Sequence, residues 1–218
     1  LTSIINYVDL LKREDIQNDR AKNYIAIRED KAMRLKHLTD DLVEASKISS
    51  GNVKLELNRL NFQELIQQTN GEFSEKFENK GLKLVVDMPE EPVVIVADSR
   101  RLWRVIENLY NNTAKYAMPN TRVYVELTTV GHMVRFSIKN ISEQPLNINA
   151  DELTERFIRG DVARSTEGSG LGLSIARNLT ELQKGSLNIY LDGDLFKATI
   201  IFPEAEEKTN RDKSERLV

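Results

Sequence analysis

Three glycines at alternate positions, Gly168, Gly170 and Gly172, run directly into a helical pattern. Glycine adopts backbone angles that other residues avoid, so successive N–H groups in such a loop can turn inward around a phosphate chain. Apolar residues then recur at helical spacing over residues 175–182, and a helix N-terminus would add partial positive charge beside the same anion. The pattern is typical of a phosphate-binding loop, although a loop that only makes tight turns explains these glycines about equally well.

The loop differs from two common nucleotide-binding motifs. No Lys-Ser or Lys-Thr pair follows its last glycine, as in a P-loop, and no apolar strand precedes it, as in a dinucleotide-binding fingerprint. The choice between a nucleotide site and a structural turn therefore depends on the rest of the chain.

Composition excludes several classes of function. The chain has 218 residues, with 31 basic and 34 acidic side chains and a net charge of -3, so we expect no nucleic-acid partner. Cysteine is absent, which excludes disulfides and thiolate metal sites. The longest apolar runs are too short to span a bilayer. Because a helical pattern is already under way at Leu1, we expect the chain to be a fragment of a longer protein.

The N-terminal residues predict an antiparallel helical hairpin. Apolar residues recur at helical spacing over residues 1–12, and after a polar turn a second, longer pattern runs from Asp19 to the Ser49-Ser50-Gly51 stop. A hairpin alone cannot hide both apolar stripes from water, which favours pairing with a second copy into a four-helix bundle. Packing against the rest of the same chain is the alternative.

The residues after Gly51 predict an α+β sandwich, with one sheet covered by helices on one face. Alternating apolar residues indicate the strands, and a period of 3.6 residues indicates the helices. The predicted strands are 53–57, 82–86, 93–97, 122–129, 134–138, 186–191 and 196–202, and the predicted helices are 62–77, 100–117 and the helix after the glycine loop. The tail from Glu204 is nearly all polar or charged and is predicted to be disordered.

One helix carries a stripe of polar side chains suited to a nucleotide. Asn108, Asn112 and Lys115 lie at i, i+4 and i+7, so they share one face of the helix predicted over 100–117. Carboxamide oxygens are hard ligands that suit Mg²⁺, and an ammonium group suits phosphate oxygens. A solvated polar face is the alternative, but such faces are usually dominated by charged residues, and we favour the functional interpretation.

The chain resembles the sensor histidine kinases of two-component signalling. Residues 108–116 are similar to the N box of that family, residues 155–159 to its F box, and residues 168–173 to its second glycine box. The hairpin resembles the dimerisation and histidine-phosphotransfer domain, truncated after the phosphoacceptor box. The resemblance implies a hairpin at 1–51, a catalytic ATP-binding domain with a mixed sheet at 52–204, and a disordered tail at 205–218.

The resemblance also implies roles for individual residues. Asn112 would ligate Mg²⁺ with support from Asn108, Lys115 would contact phosphate, and Tyr116 would line the ATP site. Arg159 would reach the terminal phosphate from the edge of a mobile lid, and the loop would bind the phosphate chain. The loop residues are Gly168, Ser169, Gly170, Leu171 and Gly172.

Two departures from the family pattern affect these expectations. The family has Asp-x-Gly after the strand predicted at 134–138, and its Asp accepts a hydrogen bond from the adenine amino group. This chain has Asn140 and Ser142 there, and a carboxamide oxygen is a weaker acceptor than a carboxylate. The phosphoacceptor histidine would lie upstream of Leu1, and neither His37 nor His132 occupies its position.

The family implies partners as well as a reaction. The phosphoryl group would pass from ATP to a histidine of the homodimer and then to an aspartate of a response regulator. The parent protein would be anchored in the bacterial membrane by segments absent from this chain, with these domains in the cytoplasm. The alternatives are a non-catalytic dimeric binding module with a decayed nucleotide site, an ATPase of the gyrase or chaperone type, and a serine kinase. The gyrase and chaperone ATPases use a catalytic glutamate where this chain has Asn108.

Overall fold

The computed structural model describes residues 19–51, 53–146 and 170–206, together with positions 4, 11, 149, 150 and 153. The helices are α1 (Asp19–Ser49), α2 (Phe62–Glu78), α3 (Ser99–Tyr116) and α4 (Gly172–Leu182). The strands are β1 (Asn58–Asn61), β2 (Lys83–Asp87), β3 (Val94–Ala97), β4 (Arg122–Val130), β5 (Met133–Ile141), β6 (Ser186–Asp192) and β7 (Leu195–Pro203).

The second helix of the predicted hairpin is confirmed as α1, and it leaves apolar side chains in solvent. Tyr24, Leu35, Leu42 and Val43 are all exposed, so this helix has apolar surface for another element to cover. The predicted first helix lies outside the described residues except at Ile4 and Leu11, both of which are helical. Among the parts of the chain that the structure describes, no helix is long and apolar enough to cross a bilayer.

The central sheet has five strands in the order β2-β4-β5-β7-β6. Strands β2 and β4 pair in parallel, and the other neighbours pair antiparallel. The predicted mixed sheet is therefore confirmed. Strand β7 follows β6 in sequence but lies between β5 and β6 in space.

The prediction of a single sheet is wrong, because β1 and β3 form a separate antiparallel pair in which Asn58 lies opposite Ala97. The predicted strand at 53–57 is also wrong, since the strand begins at Asn58. The physical reason is local: the Glu56 backbone N–H donates to the Asp98 carboxylate (2.9 Å). The backbone of that segment is therefore bonded to a side chain at Glu56 and not to a neighbouring strand.

Helices α2, α3 and α4 bury their apolar stripes against one face of the central sheet, as predicted. Side chains at alternate positions of β4, β5 and β7 point into this core, and Phe62 of α2 lies 5.8 Å from Phe136 of β5 between ring centroids. Burial of these side chains is the main source of fold stability. The inward residues include Val123, Val125, Leu127, Phe136, Ile138, Ala198, Ile200, Leu102, Ile106, Leu109, Ile175 and Leu179.

The predicted disordered tail begins too early. The Glu204 N–H donates to the His132 carbonyl (2.9 Å), and the Ala205 N–H donates to the Val94 carbonyl (2.8 Å). Arg59 donates to the carbonyl of Glu206. These three residues extend the packed domain through contacts with the turn before β5, with β3 and with β1. Residues 207–218 lie outside the described part of the chain.

Candidate nucleotide-binding site

Helix α3 presents the polar stripe that its sequence predicts. Asp98 caps the helix, because its carboxylate accepts a hydrogen bond from the Arg101 N–H (3.1 Å). Asn108 is 9% exposed, and Asn112 and Lys115 are partly exposed on the same face. The stripe therefore runs from a buried carboxamide to an accessible ammonium group.

The glycine loop meets this stripe at Asn108. A Cβ atom added to Gly172 would lie 3.3 Å from Asn108 Oδ1, tighter than ordinary van der Waals contact. The start of α4 therefore packs directly on the Asn108 side chain, and glycine is what permits the approach. The structure thus brings together two of the elements that the sequence assigned to one site.

Asn108 also leaves a donor unpartnered. Within the described residues, its buried Nδ2 atom has no hydrogen-bond partner. Buried polar groups are almost always paired in native proteins, so such an atom at the mouth of a loop indicates a place where a ligand or water binds.

The helix predicted after the glycine loop is present as α4. Gly170 has φ of +71°, the left-handed region that favours glycine. Leu171 is buried, supplies the N-cap position and makes no side-chain capping hydrogen bond. The helix start therefore offers backbone N–H groups and partial positive charge. The predicted loop residues Gly168 and Ser169 lie outside the described residues.

Lys115 and Tyr116 interact at the far end of the stripe. Lys115 Nζ donates to Tyr116 Oη (2.7 Å) and lies 4.5 Å from the centroid of the Tyr116 ring. The Lys115 carbonyl accepts from Lys80 Nζ (2.8 Å). Both predicted residues are thus adjacent, with a cationic and an aromatic group side by side.

Asn140 sits near the end of β5 and is 3% exposed. Its Nδ2 donates to the Ile141 carbonyl (3.1 Å), whereas its buried Oδ1 has no partner among the described residues. The side chain is therefore held with its oxygen available as an acceptor. An acceptor at this position is what the resemblance implies for recognition of an amino group.

The end of β5 is tied to the C-terminal end of α3. The Met118 N–H donates to the Ile141 carbonyl and the Glu143 N–H donates to the Tyr116 carbonyl, each at 2.8 Å. Ala117 and Ser142 form an isolated antiparallel bridge. Asn140 and Tyr116 consequently belong to one connected region.

Ser142, which the resemblance puts at the place of the family glycine, makes hydrogen bonds at the end of β5. It is buried, its N–H donates to the Asp194 carbonyl (2.7 Å), and its Oγ accepts from the Gln144 N–H (3.4 Å). The serine hydroxyl is therefore used within the turn. This arrangement keeps the added side chain bonded to its own loop.

Lys139 lies on the opposite face of β5 from Asn140, as strand alternation requires. Its Nζ donates to Glu126 Oε1 (2.6 Å). This hydrogen bond lowers the pKa of Glu126, against the opposing effect of partial burial. The ammonium group of Lys139 is therefore paired with Glu126 of β4 and is not part of the candidate site.

Several predicted residues lie outside the described part of the chain. Arg159, the F-box residues and the predicted lid over 158–167 are among them. In the described residues, no three His, Cys, Asp or Glu side chains cluster as a metal site. Any metal at the stripe would therefore depend on carboxamide oxygens and the ligand. His37 and His132 are both exposed.

Sequence reasoning did not find the contacts of α3 with α1. Arg104 and Arg101 form ion pairs with Asp41 and Glu44 of α1. The available signal was that the two arginines fall on the same helical face as Asn108 and that the two acids are three residues apart.

A protein-family model matches the part of the chain that contains this candidate site. Residues 97–212 match the family model described as "Histidine kinase-, DNA gyrase B-, and HSP90-like ATPase". The chain belongs to this family. The match covers both the helix with the polar stripe and the glycine loop.

Similarity to individual curated proteins indicates the kind of ATPase to which this domain belongs. The sensor protein VanS of Enterococcus faecium is 30% identical over 190 residues, which are 86% of this chain and 49% of VanS. These similarities place the domain among the sensor histidine kinase ATPases. The chain spans about half the length, or less, of the curated relatives it matches.

Solved structures share the fold. Full-length ShkA in complex with AMPPNP matches with a TM-score of 0.76 and 19% identity, over 94% of this chain and 43% of ShkA. The histidine kinase ThkA, solved in complex with the response regulator TrrA, matches with a TM-score of 0.64 and 23% identity, over 95% of this chain and 58% of that one. At these identities the likeness concerns the fold.

Proposed function

We propose that this chain binds Mg-ATP and works within a sensor histidine kinase, transferring the terminal phosphoryl group to a histidine. The observation that carries the proposal is a pair of buried carboxamides: Asn108 and Asn140 each keep one polar atom unpartnered in the described residues. One is a donor beside the glycine loop and the other is an acceptor at the end of β5. A nucleotide has complementary groups for both.

Asn140 would recognise the base. Its Nδ2 is engaged by the Ile141 carbonyl (3.1 Å), so Oδ1 is the atom that remains to accept a hydrogen bond. An adenine amino group can donate to it, whereas a guanine carbonyl cannot. Because the acceptor is neutral, we expect weaker binding than a carboxylate would give.

The phosphates would lie between the start of α4 and the polar stripe of α3. Backbone N–H groups in the first turn of α4 and the ammonium of Lys115 would supply positive charge for them. Lys115 must leave Tyr116 Oη, now 2.7 Å away, to reach a phosphate. By resemblance, Arg159 would reach the terminal phosphate, and Gly168 and Ser169 would complete the loop.

The residues present fit a magnesium ion held jointly with the nucleotide. Mg²⁺ prefers oxygen ligands and usually takes one or two from protein and the others from phosphate and water. Asn112 lies one turn beyond Asn108 and is accessible, so its carboxamide oxygen would be the protein ligand. When bound, the ion would neutralise negative charge that develops during phosphoryl transfer.

Hydrolysis of ATP by water is disfavoured in this site. Asn108 stands where the gyrase and chaperone ATPases carry a catalytic glutamate, and a carboxamide cannot accept a proton. The adjacent Glu107 does not replace it, because its carboxylate is paired with Arg104 Nη1 (2.6 Å). These contacts favour transfer to a protein acceptor over transfer to water.

The partners follow from the same proposal. The exposed apolar residues of α1 would be covered in a homodimer formed through the hairpin. A response regulator would take the phosphoryl group from the histidine, since the similar kinase ThkA was solved with the response regulator TrrA. Membrane anchoring of the parent and a cytoplasmic position for this part are further elements of the proposal.

Calorimetric titration with a non-hydrolysable ATP analogue, with and without Mg²⁺, tests nucleotide binding. We expect magnesium-dependent binding that Asn112→Ala loses. Asn111→Ala is the matched control, because Asn111 lies next in sequence but is bonded to Lys76 Nζ (2.7 Å) on α2. Loss of binding in the control but not in Asn112→Ala would contradict the assignment of Asn112 as the magnesium ligand.

A second experiment tests the reaction. A longer chain that includes the upstream acceptor histidine is incubated with γ-labelled ATP, and we expect an acid-labile label on protein. If the intact chain does not bind the ATP analogue in the calorimetric titration, the result would instead support a non-catalytic binding module.

A further inference from the structure

Lys80 lies in the turn after α2 and reaches two segments that border the candidate site. Its Nζ donates to the Lys115 carbonyl oxygen (2.8 Å) and lies 3.6 Å from Glu143 Oε2. The first segment is the last turn of α3, and the second is the chain that follows β5. One ammonium group therefore joins three elements of the fold.

The backbone of Lys80 is fixed on both sides. Its N–H donates to the Phe77 carbonyl (3.1 Å), and its own carbonyl accepts from the Asn120 N–H (3.3 Å). The side chain is 20% exposed. The ammonium group therefore reaches α3 from an anchored position, so less conformational entropy is lost when it binds the helix.

The contact with α3 supplies a donor to a carbonyl at the end of the helix. The last four carbonyl groups of a helix have no partner within it, and they carry partial negative charge. Here the Lys115 carbonyl accepts from Lys80 Nζ (2.8 Å), and the Tyr116 carbonyl accepts from the Glu143 N–H (2.8 Å). Lys80 is the charged donor of the two, and a charged donor binds a carbonyl more strongly than a neutral one does.

The last turn of α3 carries two residues of the candidate site. Lys115 contributes an ammonium group and Tyr116 an aromatic ring, with Lys115 Nζ at 2.7 Å from Tyr116 Oη. The proposed phosphate contact requires this Nζ to turn away from the tyrosine. Because Lys80 binds the carbonyl of Lys115 and not its side chain, it fixes the backbone and still permits that rotation.

The same turn is bonded to the segment that follows Asn140. Residues 141–143 lie alongside residues 116–118, and two backbone hydrogen bonds of 2.8 Å and an antiparallel bridge join them. Tyr116 and Asn140 therefore belong to one junction. The geometry of this junction depends on the turn that Lys80 holds.

The contact with the carbonyl is the stronger of the two that Lys80 makes. The side chain of Glu143 is 48% exposed, and its carboxylate lies 3.6 Å away. An ion pair so open to water contributes little. The carbonyl lies at 2.8 Å, at the negative end of a helix. Loss of the ion pair and loss of the carbonyl contact therefore have different expected effects.

We propose that Lys80 is a positioning residue of the nucleotide site, which holds the last turn of α3 so that Lys115 and Tyr116 are in place before ATP binds. Without this contact the turn is ordered for only part of the time, and a nucleotide must order it on binding. Lys80 itself does not touch the nucleotide. This inference rests on the proposed function and concerns affinity for ATP, not the transfer step.

Backbone 15N relaxation in the absence of nucleotide tests whether Lys80 orders the turn. We expect Lys80→Met to lower the order parameters of Tyr116 and Ala117 from about 0.85 to below about 0.6. Those of Leu109, which is buried in the middle of the same helix, should not change. Unchanged order at Tyr116 and Ala117 would overturn the positioning role.

Calorimetric titration with Mg²⁺ and the non-hydrolysable ATP analogue tests the effect on the site. We expect Lys80→Met to raise Kd about fivefold, because the turn is then ordered about one fifth of the time. A residue that only stabilises the fold would leave Kd unchanged wherever the chain is folded. Lys83→Met is the matched control, since Lys83 is exposed at the start of β2. Equal Kd values for the two variants would refute the inference.

Two further variants separate the contacts of Lys80. Lys80→Arg keeps a charged donor and should bind within about twofold of the unsubstituted chain. Glu143→Gln removes only the ion pair, so its Kd should also change less than about twofold. A fivefold loss of affinity in Glu143→Gln would contradict the assignment of the carbonyl contact as the one that positions the site.

Kinetics on a longer chain with the acceptor histidine complete the test. We expect Lys80→Met to raise KM for ATP about fivefold and to leave kcat unchanged, because bound nucleotide orders the turn. A lower kcat with an unchanged KM would overturn the inference. If the unsubstituted chain binds no nucleotide, the proposed function itself fails. If it binds and Lys80→Met binds equally well, only the role of Lys80 fails.

Discussion

At the scale of single residues, two unpartnered polar atoms support the proposed site. A buried donor or acceptor without a partner costs about 1–3 kcal/mol, and Asn108 Nδ2 and Asn140 Oδ1 are two such atoms in the described residues. Thr113 Oγ1 and Trp103 Nε1 are also unpartnered there, but neither belongs to the polar stripe. A nucleotide that pairs with both carboxamides would recover part of this free energy.

Gly172→Ala should weaken nucleotide binding about tenfold, because overpacking costs about 1–3 kcal/mol. The new Cβ would lie 3.3 Å from Asn108 Oδ1 and would displace that side chain. Calorimetry with Mg²⁺ and the ATP analogue measures the effect.

Gly71→Ala is the control for the glycine substitution. Nothing lies within 4 Å of a Cβ at Gly71, so binding should be unchanged and the free energy of unfolding should rise by about 0.5–1 kcal/mol. Equal affinities for the two variants would show that the contact with Asn108 is irrelevant to the site.

The sequence predicts much of this site, because Asn108, Asn112 and Lys115 recur with the helical period and place themselves on one face. It could not predict the contact between Asn108 and Gly172, which depends on how α3 and α4 pack. The partners of Arg104 were missed as well, although its helical face could be read from the sequence. Many acidic residues could have paired with that arginine, and only the fold selects Asp41 and Glu44.

At the scale of elements, strong periodicity predicted both ends of α2, α3, β4, β6 and β7 to within one residue. The prediction at 53–57 was wrong because alternation shows which side chains face inward, but does not show what the backbone binds. In this segment the Asp98 carboxylate accepts a hydrogen bond from the Glu56 N–H. The separate pair of β1 and β3 was missed for the same reason, since strand partners are not encoded in local pattern.

Asp98→Ala should lower the free energy of unfolding by about 2–3 kcal/mol, as two backbone N–H groups lose their acceptor. Asp98 Oδ1 accepts from Arg101 (3.1 Å) and Oδ2 from Glu56 (2.9 Å). Asp98→Asn keeps one acceptor oxygen and should lose about half as much. Urea unfolding measures both variants.

A matched acidic residue controls for charge alone. Asp87 is exposed at the end of β2, so Asp87→Ala should change the free energy of unfolding by less than about 0.5 kcal/mol. If Asp98→Ala is no more destabilising than Asp87→Ala, Asp98 does not join the start of α3 to the preceding segment.

At the scale of the whole molecule, the packed unit extends to Glu206. Removal of the residues after Glu206 keeps the contacts of Ala205 with Val94 and of Glu204 with His132. Removal of the residues after Pro203 eliminates both hydrogen bonds and the burial of Ala205. We expect the shorter chain to lose about 2–3 kcal/mol of unfolding free energy relative to the longer one.

Urea unfolding of the two truncated chains provides the measurement. Nucleotide binding should survive in both, because the lost hydrogen bonds are to Val94 and His132, and neither residue belongs to the candidate site. Equal stability of the two chains would contradict the extended boundary.

The position of β7 in the sheet also determines when the sheet can be completed during translation. This strand is made after β6, yet it inserts between β5 and β6, so a growing chain cannot complete the sheet until residue 203 has left the ribosome. Its partner β5 carries Asn140, opposite Phe196. Since contacts between distant segments form late in folding, the base contact proposed for Asn140 would become possible only when the last described strand is in place.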